Sequence, residues 1–168
     1  MPPMPYWVLA LIFWLHLLAT VTWVGSLAAI SFLILPAASR TLNPTDQLAF
    51  ISAIQKRLEP LAWFCLSVLV TTGLFQMSVN VHYDGFLSVS TRWSIALLTK
   101  HALVAVMVVV SAVQTWEVLP AIRRTLMLKA RADEGELERL RRRETALLRW
   151  SLALAVLILL ATAFARAA

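Results

Sequence analysis

The chain has 168 residues, of which 60% are hydrophobic and 14% charged, with a mean hydropathy of +0.77. That balance excludes a soluble domain of this length and identifies a membrane protein; with about 20 apolar residues per span, the chain supplies a handful of crossings and no sizeable soluble domain. The single cysteine, Cys65, excludes an intrachain disulfide framework, CxxC metal chemistry and haem attachment through CxxCH, so a metal or cofactor must be held by His, Met, Lys or acidic side chains.

The first uncharged run extends from Met1 to Ser39, broken only by the ionisable Tyr6 and His16. It is too long and too poor in basic leader residues for a signal peptide, so it is expected to be a span over residues 6–36, opened at Pro5 and stopped at Pro36. Asn43-Pro44-Thr45-Asp46 is a helix-start signal, and Leu48, Ile51, Ile54 and Leu58 recur at helical spacing between polar residues, predicting an amphipathic helix over 45–59. This helix lies on the membrane or leads into the next span, with a kink or break at Pro60. Further spans are expected at 61–81, 93–119 and 146–165. Between the last two lies a basic helical region, 121–149, as a cytoplasmic hairpin or as extensions of the spans, with Glu138 set four before Arg142 for a favourable pair. No internal repeat is evident.

Twelve of the fifteen Lys and Arg residues fall in the loop after the first span and in the region between the last two. Both regions are therefore expected on the cytoplasmic side, with both termini and the loop carrying His82 outside. Trp7 and Trp93 then mark the outer edge and Trp63, Trp116 and Trp150 the inner edge. Topology thus accounts for the net charge of +6, leaving no nucleic-acid partner to explain; the partner is the lipid bilayer. The expected fold is an all-α, integral membrane four-helix bundle, N-out and C-out.

An ionisable side chain inside hydrocarbon is costly and marks a functional site by default. His16, Lys100 and His101 qualify. His16 lies nine residues past Trp7 and His101 eight past Trp93, which places both imidazoles roughly 12–14 Å below the outer edge. If the first and third spans are neighbours, His16 and His101 or Lys100 converge on one metal ion or flank one haem iron. Helical periodicity groups His16, Thr20 and Trp23 on one stripe and Lys100, Met107, Ser111 and Gln114 on another, with His101 turned ~100° away, so Lys100 has the stronger claim on the interior. Thr72, Gln76 and Asn80 share a face of the second span. Met77 and His82 at the outer mouth are candidate soft-metal ligands. Glu117 is expected to pair with Arg123 or Arg124, or to serve at the interface. No hydrolase or phosphate-binding signature is present.

Trp14-Leu-His16-Leu-Leu-Ala-Thr-Val-Thr-Trp23-Val-Gly25 and the Leu35-Pro36 stop resemble the first helix of the copper resistance protein D family. Thr72-Gly73-Leu74, Leu97-Leu98-Thr99-Lys100 and Leu119-Pro120 resemble the rest of that domain, over about residues 7–124. The resemblance implies an inner-membrane protein that binds copper or passes it across the bilayer, beside a periplasmic copper carrier. His16, Trp23 and Lys100 match recurring family positions, whereas His101 and Met77 are candidates from depth and softness alone. Where the family has Gly-Gly after the tryptophan, this chain has Gly25-Ser26, and the absence of a longer multi-span extension makes a homodimer the expectation. The histidine, tryptophan and mid-membrane lysine are also similar to the small four-helix membrane protoporphyrinogen oxidases, which implies as the alternative a b-type haem ligated by His16, with Lys100 on a propionate or acidic substrate. A cofactor-free accessory subunit docking through its basic hairpin is the third reading.

Overall fold

The computed structural model describes residues 5–79, 91–127 and 134–167. Four long helices account for nearly all of these residues: α1 (Tyr6–Thr41), α2 (Pro44–Ser78), α3 (Arg92–Met127) and α4 (Glu134–Ala167). Each is long and apolar enough to cross a membrane, and the chain is a multi-pass membrane protein. The outward faces carry large apolar side chains, among them Trp14, Leu17, Phe32, Phe64, Val109 and Leu160, as a lipid-facing surface requires.

α2 begins where the start signal places it. The Asn43 side chain accepts from the Asp46 backbone N–H at 2.9 Å and Pro44 occupies the first turn, the arrangement in which a missing proline N–H costs nothing. α3 opens on a capping box between Thr91 and Ser94, which satisfies two otherwise orphaned donors reciprocally.

The prolines do not stop the helices. Pro60 lies inside α2, which runs unbroken from Pro44, so the amphipathic segment is the foot of the second span. α1 continues past Pro36 to Thr41 and α3 past Pro120 to Met127. In both, a π-helical stretch precedes the proline: Ala29–Ile34 in α1 and Gln114–Val118 in α3. The N–H groups of Leu35 and Leu119 reach back five residues, to the carbonyls of Ile30 and Gln114. Proline has no N–H and its ring crowds the carbonyl four residues back, so a wider turn lets the helix pass without breaking.

The two bulges expose a repeat that composition concealed. Leu35-Pro36-Ala37-Ala38-Ser39-Arg40-Thr41-Leu42 is matched by Leu119-Pro120-Ala121-Ile122-Arg123-Arg124-Thr125-Leu126, with six of eight residues identical at an offset of 84. The same offset sets Lys100 against His16 and Met107 against Trp23.

Packing follows two hairpins. α1 lies along α2 and α3 along α4, while α4 also touches α1 and α2. The Leu119–Met127 end of α3 also packs on α2. A core of Ala19, Trp23, Cys65, Leu66, Met107, Leu154 and Ala155 closes the centre, and a second cluster of Leu48, Val118 and Ile122 closes the end that carries the basic residues. There Arg142 pairs with Glu138 at 2.9 Å, as the spacing predicts. Glu117 pairs with Arg143 of α4 at 2.7 Å rather than with Arg123 or Arg124, because α4 lies beside α3 at this level. Trp63 and Trp116 stack with centroids 5.7 Å apart, in keeping with a common depth.

Candidate functional site

His16 is half-buried on α1 and meets Thr72 of α2, its Nδ1 2.8 Å from Thr72 Oγ1. Thr72 Oγ1 is in turn 2.5 Å from the Val68 carbonyl. A carbonyl only accepts, so the single hydroxyl proton of Thr72 goes to Val68 and the Thr72 oxygen must accept from His16. That fixes the neutral imidazole as the Nδ1–H tautomer and leaves the lone pair on Nε2, as in histidines oriented for ligation. Thr72 is nine residues past Trp63, as His16 is past Trp7, so the pair lies roughly 13 Å from either tryptophan level. Gly73 lies against the ring: a Cβ there would meet His16 Cε1 at 3.5 Å, an ordinary contact.

Two cations act on this imidazole through their charge. They are Lys100 on α3 and Arg166 at the end of α4, and Arg166 acts on Lys100 as well. The Arg166 guanidinium lies over the Phe13 ring at 5.2 Å from its centroid, one turn of α1 before His16, a contact that holds a cation against an apolar surface. Periodicity identified Lys100 as inward-facing; Arg166 escaped notice, although it is the lone charged residue beyond Arg149.

The other candidates are not gathered here. His101 Nδ1 lies 2.7 Å from the Leu97 carbonyl of its own helix, whereas the His16 ring nitrogen meets Thr72 of α2. Met77 is buried, but it is five residues beyond Thr72, about 7 Å farther along α2 and ~140° around the helix. His82 lies outside the described residues. Among the described residues no group of three His, Cys, Asp or Glu side chains could hold a metal ion.

Below the central core is a cavity of about 90 Å³ lined from all four helices. Its walls include Trp23, Gln55, Cys65, Gln114 and Ser151. Gln55 and Ser151 are buried, yet both amide atoms of Gln55 and the Ser151 hydroxyl have no hydrogen-bond partner. Sequence reading missed this site: Gln55 belongs to the polar stripe of an amphipathic helix, and Ser151 is one serine in an apolar run.

A four-helix membrane bundle with a fixed imidazole at mid-depth and cations beside it defines a polytopic membrane protein with an intramembrane polar site. The family model for copper resistance protein D matches residues 52–165, and the chain belongs to that family. The matched range includes Met77, Lys100 and His101 but begins after the first span, so His16 stands on its geometry alone. No curated protein and no solved structure matches the chain.

Proposed function

We propose that this chain handles copper in an inner membrane, with both termini outside and His16 as the mid-membrane stop for the ion. The observation that supports this best is the His16–Thr72 contact, which presents Nε2 as a lone-pair donor suited to copper. A resident copper centre does not fit: among the described residues one imidazole without two further ligands, under the charge of Lys100 and Arg166, holds a cation weakly. Weak holding suits cargo, since passage needs a stop that admits an ion and releases it. Met77 and His82 would meet copper at the outer mouth, and Met107 and Cys65 would offer soft sulfur below His16. A periplasmic copper carrier and a second copy of the chain are the partners this reading calls for. The test is copper content and copper tolerance of cells expressing His16→Ala or Met77→Leu, each expected to change both; if neither variant changes either, the reading falls.

Lys100 and Arg166 favour a second reading, because paired cations beside an imidazole suit the propionates of a b-type haem as well as they disfavour a bare metal ion. His16 Nε2 would hold the iron, with Lys100 and Arg166 holding the propionates; the bound group would supply one-electron chemistry. The oxidised and dithionite-reduced visible spectra of the purified protein separate the two. A Soret band lost in His16→Ala supports haem, and a featureless spectrum from haem-replete cells leaves copper.

A further inference from the structure

We propose that the inner cavity is a binding site for the ring of a lipid-borne quinone, held by Gln55 and Ser151. This goes beyond the copper reading, which uses one wall residue of the cavity, Cys65, but neither Gln55 nor Ser151.

Gln55 of α2 and Ser151 of α4 are 7% and 2% exposed and line the cavity with no partner for any polar side-chain atom. A buried polar group left unpaired destabilises the fold, so two lining one cavity call for a ligand or ordered solvent. The lining decides which ligand chemistry fits. It carries no Lys, Arg or His, so an anion finds no counter-charge. Cys65 and Glu59 both line it, but they are six residues and about 9 Å of helix rise apart, too far to share one metal ion. Apart from Glu59, the lining is neutral: an amide that both donates and accepts, hydroxyls that do the same, and apolar walls from Trp23, Trp63 and Leu66.

A quinone ring answers each feature. Its carbonyls accept from the Gln55 amide and the Ser151 hydroxyl, and the reduced form donates to the same atoms. Its flat apolar face suits the indole walls. Leu61, 40% exposed on the outer surface, also lines the cavity, so an isoprenoid tail can leave toward the lipid.

The test is titration of the full chain, in nanodiscs of quinone-free lipid, with a decyl-tailed benzoquinone, read by tryptophan quenching and compared with empty nanodiscs. Wild type is expected to saturate at one quinone per chain. Gln55→Leu and Ser151→Ala are each expected to weaken binding roughly tenfold, the effect of one lost hydrogen-bonded pair. The same substitutions remove orphaned polar atoms, so Tm should hold or rise by about 2–4 °C, the opposite of misfolding. Quenching no greater than in empty nanodiscs would overturn the proposal and leave a hydrated chamber. So would wild-type affinity in Ser151→Ala, a substitution small enough to preserve the fold if Gln55→Leu does not.

Discussion

His16 donates from Nδ1 to Thr72 Oγ1 across the first hairpin at 2.8 Å, and this contact decides which imidazole nitrogen is open to a ligand. Thr72→Val keeps the shape of the side chain and removes the acceptor, so the ring is free to change tautomer and to turn. Loss of such an orienting partner weakens metal binding about 10–100-fold. Thr72→Val is therefore expected to lower Cu(I) affinity at least about tenfold, and Thr72→Ser to restore most of it. Competition against a chromophoric Cu(I) chelator measures both; equal affinity in wild type and Thr72→Val would remove Thr72 from the site.

Gly73 separates the effect of space from that of helix propensity. An added Cβ meets His16 Cε1 at 3.5 Å, ordinary contact, and alanine is favoured over glycine in a helix by about 0.8–1 kcal/mol. Gly73→Ala is expected to be neutral or stabilising and to keep copper affinity. Gly73→Leu places further carbons where the ring stands and should displace His16, reducing affinity as His16→Ala does. Thermal melts beside the same chelator competition distinguish the two variants.

Removing a cation gives opposite signs under the two functional readings. Lys100 acts on His16 through its charge, and a cation near the imidazole opposes a second positive charge bound there. If His16 handles a bare copper ion, Lys100→Met should tighten Cu(I) binding severalfold or more. If it ligates haem with propionates on Lys100, the same variant should lose haem. Arg166→Gln is expected to act in the same sense. The change in Cu(I) affinity and the haem-to-protein ratio, read on one preparation, give the sign.

Hydropathy made the spans legible because 20 apolar residues have few alternatives, and the charge of the connecting regions made the expected orientation legible. The prolines misled, because a proline removes one backbone hydrogen bond in any setting, whereas only neighbouring helices determine whether a wider turn can absorb the loss. The repeat of Leu35–Leu42 at Leu119–Leu126 is only eight residues long and lies among apolar stretches without such identity, so composition hid it. His16 and Lys100 were legible because a charged or ionisable group in hydrocarbon stands out one residue at a time. Thr72 and Gln55 were not, because their roles come from contacts between helices, and one sequence carries no record of which helix faces which.

At the basic end of the bundle, burial should outweigh charge. Glu117 and Arg143 meet at 2.7 Å but are 58% and 47% exposed, and an exposed pair contributes about 0–1 kcal/mol. Ile122 is 0% exposed in a cluster with Leu48 and Val118, where truncation to alanine costs about 2–5 kcal/mol through lost contacts and a residual void. Glu117→Gln should therefore leave Tm nearly unchanged and remove what little salt sensitivity the pair confers, while Ile122→Ala should lower Tm by several degrees. Melting both variants in the same detergent at low and high salt checks the ordering. A larger loss from Glu117→Gln would mean that the pair fastens α3 to α4 more strongly than its exposure allows.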